Sequence, residues 1–256
     1  AVRDLLVDMG VDLQAARALT YHAAFCVDIE QGIEARLAAK LEDDPNAVKA
    51  LRTEGRKYKN FNKMLTPMAK YYSSEMSMRV ANSAMAVLGG SGYMQDYPVE
   101  RHLRDSRITT IYEGTSQLQV VAAVGGVMSG GAAEVAESLL NAQTWDAELQ
   151  PLVERLREGL ALLREAVEYV KGRREDANAY RDLYARNLVD MGIAVVVGAL
   201  FCDHAAAAPE KKLPVARRWL GDNLPRMRML KERICSGETL TFTEFETLAP
   251  QLPATE

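Results

Sequence analysis

Apolar residues recur at intervals of three and four along nearly all of this chain, and nowhere do they alternate over the length of a half-buried strand. From Val2 to about Leu41, the positions Leu5, Leu6, Met9, Leu13, Ala16, Leu19, Ala23 and Val27 fall on one helical face, and no proline appears before Pro45. A chain with only this period buries its apolar surface by packing helix on helix. The prediction is an all-α protein: an up-and-down helical bundle followed by a second helical bundle.

Breaks in the pattern divide the chain. Glu42 to Asn46 is polar, contains Pro45 and reads as a surface turn. Thr66-Pro67 places a capping hydroxyl before a proline, which predicts the start of a helix reaching Leu88, with Met68, Tyr71, Tyr72, Met76, Val80, Ala84 and Val87 facing the core. Gly89-Gly90 stops it. Ile108 to Ile111 is β-branched and reads equally as a strand, a loop or a helix start. Gly125 to Ala133 holds four glycines and reads as a linker. The expected organisation is therefore residues 1–128, a linker at 129–143, and residues 144–256. In the second unit, helices are predicted around Leu149 to Val170, from Ala177 to Ala206 and from Pro214 to Cys235, the last interrupted or kinked at Pro225, with Ala132 to Leu140 available to complete the bundle. Thr239 to Glu256 is polar and expected to be loosely held.

The formal net charge is −4, which gives no electrostatic footprint for nucleic acid. Cys26, Cys202 and Cys235 are isolated, which disfavours a disulfide framework, and His22, His102 and His204 match no metal-ligand spacing. No metal is expected. The longest apolar run, Met191 to Phe201, lies between Asp190 and Asp203 and falls short of a membrane span. The chain reads as a cytoplasmic protein without an integral membrane segment. Ala1 opens directly in helical pattern without an initiating Met, as a fragment or processed form would.

Chemistry concentrates between Gly89 and Gln119, GGSGYMQDYPVERHLRDSRITTIYEGTSQLQ. Glu113 sits between Tyr112 and Gly114: an aromatic that can exclude water, and a glycine that lets a ligand reach the backbone. Desolvation of that kind raises a carboxyl pKa toward the value a general base needs. From these residues alone, a capping or surface glutamate is the commoner explanation. The glycines of Gly89-Gly90-Ser91-Gly92 could cradle phosphate, but they follow a helix, so a helix stop explains them better. The cluster Glu100, Arg101, Arg104, Asp105 and Arg107 reads as an ion-pair network that fixes a loop.

Taken together, the ordered motifs GGSGY, DYPVER, RDSRI and IYEGTSQLQ closely resemble the acyl-CoA dehydrogenase family, over its C-terminal helical domain, here about Val2 to Met128. The added bundle is similar to that of long-form members, which include enzymes acting on sulfur-containing or otherwise unusual thioesters. The resemblance implies that Glu113 removes the α-proton of a bound acyl-CoA while hydride passes from the β-carbon to FAD, and that the Glu113 backbone N–H binds the thioester carbonyl. It places Tyr112 and Gly114 against the substrate, Thr115, Ser116 and Gln117 against FAD, and Gly89 and Gly90 near the FAD of a neighbouring subunit of a homo-oligomer. An electron-transfer flavoprotein is the implied electron acceptor.

The chain departs from the family at Ala86, where a glutamine is usual, and in Val120 to Gly126, which lacks the usual arginine. The family's N-terminal helical domain and flavin-covering β-domain have no counterpart before Ala1, so the expectation is that this chain alone is inactive and holds FAD weakly or not at all. Two alternatives are an acyl-CoA oxidase, which lets oxygen reach the reduced flavin, and a helical assembly module without chemistry. The intact EGT sequence argues against the second.

Overall fold

A computed structural model describes residues 1–174 and 176–249. Two long helices organise it. Helix α1 (Val2–Ala38) and helix α2 (Pro45–Leu88) are joined by a short turn in which the Asp44 carboxylate accepts from the Asn46 N–H at 3.0 Å, with Pro45 at the first helical position. They run antiparallel: Lys59 pairs with Glu34, Asn62 donates to the Cys26 carbonyl, and Tyr72 donates to Asp12. Between them lie Ala15, Leu19, Ala23 and Cys26 of α1 and Phe61, Met64, Leu65 and Met68 of α2, all buried.

No helix begins at Thr66-Pro67, contrary to the sequence expectation; α2 runs straight through, with Pro67 in its interior. A proline there costs about 3 kcal/mol. Opposing it are Phe61, Met64 and Leu65 before the proline and Met68, Tyr71 and Tyr72 after it, which all stay buried only if the helix continues. Each large apolar side chain contributes about 1.5–3 kcal/mol on burial, so packing wins over the local signal.

Beyond Gly89, whose φ of 61° ends α2, come α3 (Gly90–Tyr93), α4 (Val99–Ser106) and a single 3₁₀ turn over Arg107–Thr110. Ile108 to Thr110 therefore falls in a 3₁₀ turn that Ile111 caps, and there is no strand among the described residues. Helix α5 (Ser116–Met128) then packs against α2, and helix α6 (Gly131–Leu140) follows at a bend of 65°. The expected linker at 129–143 is thus mostly helix. Of the four glycines in Gly125 to Ala133 only Gly130, at φ 91°, makes the bend, while Gly126 lets α5 approach α2 so closely that a Cβ there would come within 2.6 Å of the Met64 Cβ. Small residues in series favour close packing as readily as flexibility, and here packing prevails.

The second half consists of α7 (Gln150–Gly172), α8 (Ala177–Leu183), α9 (Ala185–Ala207) and α10 (Pro209–Cys235), then two single turns, α11 (Leu240–Thr243) and α12 (Phe245–Leu248). The helix expected over 177–206 is broken at Tyr184, whose hydroxyl donates to the Glu238 carbonyl at 3.0 Å. Helix α10 starts at Pro209 and contains both Pro214 and Pro225 without interruption. Residues from 250 onward in the expected loose tail lie outside the described residues.

Helix α9 is the axis of the molecule. By length and composition it could cross a membrane, yet most of it is buried against other helices. It packs against α5 and α6 on one side and α7 and α10 on the other, so α6 completes the second bundle as expected. One apolar core runs from Ala15 to Ile234. Polar pins reinforce the junction: Tyr71 donates to Asp190, which also accepts from Arg226, both bonds spanning from α9 to a different helix. Burial pushes the Asp190 carboxyl and the Tyr71 hydroxyl up from their ordinary pKa values, while Arg226 pulls Asp190 back down.

Candidate active site

A polar stripe runs among the buried residues in the middle of α2. Lys70, Ser74 and Ser77 stand four and three residues apart, the spacing of one helical face. The 3₁₀ turn lies across this stripe. Ser77 and Thr109 share a hydroxyl contact at 3.1 Å, and the Thr109 hydroxyl donates to the Ser106 carbonyl at 2.7 Å.

Next along the stripe, the Lys70 ammonium donates to three carbonyls of one loop: Thr109 at 2.8 Å, Tyr112 at 3.0 Å and Gly114 at 2.9 Å. An ammonium has three donors, and this loop takes all of them. The same nitrogen stands 5.3 Å from the centre of the Tyr112 ring. Between the carbonyls of Tyr112 and Gly114 lies Glu113, with φ at 50°, in the left-handed region that a residue with a Cβ seldom occupies. Gly114 follows at φ 90°. The Gln119 side chain closes the turn by donating to the Glu113 carbonyl at 3.2 Å.

The loop's direction follows from peptide geometry. In a planar trans peptide the C=O and the next N–H point opposite ways. The Tyr112 carbonyl turns inward to Lys70, so the Glu113 N–H turns outward, and among the described residues no backbone or side-chain acceptor meets it. The Glu113 side chain is exposed, and Tyr112 retains 48% of its surface. The exclusion of water expected from Tyr112 is therefore not made by these residues: the ring covers Lys70 rather than the carboxylate.

Helix α5 starts where the loop ends. Thr115 is its N-cap, its hydroxyl accepting from the Leu118 N–H at 3.3 Å. Ser116 is buried and its Oγ has no hydrogen-bond partner, which leaves a hydroxyl to be satisfied, while Gln117 is exposed on the first turn. A helix start with free N–H groups and an unpaired buried hydroxyl is chemically suited to the polar edge of a flavin ring.

Tyr112 to Gln117 thus form one turn. Gly89 and Gly90 do not join it: they lie at the far end of α2, nineteen residues beyond Lys70 and so about 28 Å along the axis. A Cβ on either would meet nothing within 4 Å, so neither is required by packing. The ion-pair network expected around Glu100 to Arg107 is also not what fixes the loop. Arg104 reaches Glu100 and Asp105 only at 3.9 and 3.7 Å, and its side chain is mostly exposed. The cation that does fix it, Lys70, escaped the sequence reading, although its helical spacing from Ser74 and Ser77 was visible there.

Residues 35–124 match the acyl-CoA dehydrogenase C-terminal domain, and residues 132–216 match a further domain described as acyl-CoA dehydrogenase C terminal. The short-chain specific acyl-CoA dehydrogenase of Megasphaera elsdenii is 34% identical over 123 residues, which are 48% of this chain and 24% of that protein. The CarC subunit of the caffeyl-CoA reductase-Etf complex of Acetobacterium woodii is 34% identical over 119 residues, 46% of this chain and 24% of that protein. Among solved structures, an acyl-CoA dehydrogenase of Bacillus anthracis complexed with FAD superposes with a TM-score of 0.67 at 15% identity, over 98% of this chain and 45% of that one. That likeness concerns the fold. The chain spans about a quarter of the length of these curated relatives. With its two helical units matched in order to two C-terminal domains of acyl-CoA dehydrogenases, the chain belongs to that family.

Proposed function

We propose that the chain is the C-terminal part of an FAD-dependent dehydrogenase that introduces an α,β double bond into an acyl-CoA thioester, with Glu113 as the general base. The observation that carries this reading is the conformation of Glu113: a non-glycine residue held left-handed, bracketed by two carbonyls bound to one ammonium, with its backbone N–H and carboxylate both facing outward. Strained residues of this kind persist where the surrounding structure over-determines them, and they cluster at active sites.

In this mechanism the Glu113 carboxylate takes the α-proton, and the Glu113 N–H stabilises the negative charge that develops on the thioester oxygen. Gly114 leaves room for the substrate beside the backbone, and Tyr112 flanks it. Thr115, Ser116 and Gln117 would hold the flavin, with Gly89 and Gly90 serving a second copy of the chain in a homo-oligomer. FAD, when bound, supplies the acceptor for the β-hydrogen, which leaves as hydride as the double bond forms. The units 1–128 and 144–256 divide the work in the same proposal, the first carrying the chemistry.

An electron-transfer flavoprotein is the proposed partner that reoxidises the enzyme; support comes from the relative whose name places it in an Etf complex. A cytoplasmic setting suits the two buried free thiols, Cys26 and Cys202. Glu113→Gln in the complete flavin-loaded polypeptide is expected to lower acyl-CoA-dependent dye reduction by about 10²- to 10⁴-fold, the usual worth of a general base. Unchanged turnover would remove Glu113 from the reaction.

A further inference from the structure

We infer that Lys70 is the positioning residue of this site: it aims the backbone N–H of Glu113 and strengthens it as a hydrogen-bond donor. This deepens the reading of the Glu113 loop given above and rests on it. Lys70 is on α2, forty-three residues before Glu113, and its ammonium hydrogen-bonds the loop through the carbonyls of Thr109, Tyr112 and Gly114, with the Tyr112 ring lying over it.

Direction comes first. The bond to the Tyr112 carbonyl fixes the plane of the Tyr112–Glu113 peptide, and the bond to the Gly114 carbonyl fixes the plane of the Gly114–Thr115 peptide. With both planes held, Glu113 has little freedom except its left-handed φ of 50°. Its N–H is thereby held facing away from α2, toward solvent and any ligand in front of the loop.

Strength is the second effect. A carbonyl that accepts from a full positive charge is polarised, and the polarisation passes through the peptide to the N–H on its other side. A neutral donor in the same place would aim the peptide without this gain. Lys70 is also the only cation bonded to the loop backbone among the described residues, since Arg107 bonds the Thr110 side chain and Arg104 pairs weakly along α4. No bond is made or broken at Lys70 itself.

The test measures the N–H apart from the carboxylate. In the complete flavin-loaded enzyme, Glu113→Gln keeps the backbone donor while stopping proton removal, so a bound acyl-CoA labelled with ¹³C at the thioester carbonyl can be read by difference infrared spectroscopy. The expected result is a carbonyl stretch displaced to lower frequency in Glu113→Gln, with most of the displacement lost in Lys70→Met/Glu113→Gln. In the otherwise unaltered enzyme, Lys70→Met should lower kcat about ten- to a hundredfold with KM changed less than about threefold, as for the weakening of one oxyanion donor. A crystal structure of Lys70→Met is expected to show the Tyr112–Glu113 peptide turned from its present plane. Equal carbonyl stretches with and without Lys70 would overturn the inference, and so would an unturned peptide with undiminished kcat. If Lys70→Met does not fold, Lys70→Gln serves instead: it keeps N–H donors without charge, and a carbonyl stretch equal to that of the Lys70 enzyme would overturn the polarisation. Should Glu113→Gln turn over normally, the base assignment fails by itself, while the peptide plane in the Lys70 variant still decides the role of Lys70.

Discussion

Glu113 is the one residue in the site whose backbone conformation opposes its own side chain. A left-handed φ costs a residue with a Cβ about 1–2 kcal/mol, a penalty glycine avoids. If the glutamate is kept for its carboxylate, replacing it should trade activity for stability. Glu113→Gly is accordingly expected to raise unfolding stability by about 1 kcal/mol, seen as a melting temperature a few degrees higher, while abolishing turnover. A lower melting temperature would mean that the turn is not strained. The motif around Glu113 was legible in the sequence because its residue types are contiguous. The role of Lys70 was not, because it depends on where a distant helix places one ammonium. The desolvation expected from Tyr112 failed for a related reason: sequence adjacency says nothing about which side of a loop a ring covers.

Among the elements, α5 has the least tolerance for added volume. It crosses α2 at Gly126 over Met64, where a Cβ would meet the Met64 Cβ at 2.6 Å and its Cγ at 2.9 Å, atoms near the backbone that cannot swing away. Gly126→Ala should therefore destabilise by about 1–3 kcal/mol through overpacking, even though alanine is the better helix former. A denaturation midpoint equal to or above that of the unchanged protein would refute the close crossing. The helices themselves were readable from apolar period alone. Their ends were misjudged at Thr66-Pro67, at Pro214 and across Gly125 to Gly131, always for one reason: proline and glycine are local signals, and each was outweighed by apolar side chains buried on both sides of it. At Gly89 and Gly130, where a glycine does end a helix, φ is positive.

For the whole molecule, the notable feature is what α1 leaves uncovered. Val2, Leu6, Leu13, Tyr21 and Phe25 are each at least half exposed and follow one slowly turning stripe along the helix, while the opposite face is sealed in the core. Exposed apolar residues in a row of this kind, interrupted here by Arg17, suit the docking of a partner surface. The expectation is that the complete protein self-associates, and that Tyr21→Ser with Phe25→Ser lowers the mass measured by light scattering. A strict monomer before substitution would count against it. The same stripe was visible in the sequence only as part of an amphipathic helix, because which of two apolar edges is buried is settled by the partner helix.

The uninterrupted length of α2 has one more consequence. It carries Lys70 at one turn and the Gly89-Gly90 turn at its end, with no hinge between them. It therefore works as a ruler with a phase as well as a length: a single residue inserted between these points would advance the glycine turn by about 1.5 Å and rotate it by about 100°. In an assembly where one copy's glycines meet another copy's flavin, that rod sets the spacing and bearing between neighbouring catalytic loops, and Pro67, lying before Lys70, leaves the graduated part untouched.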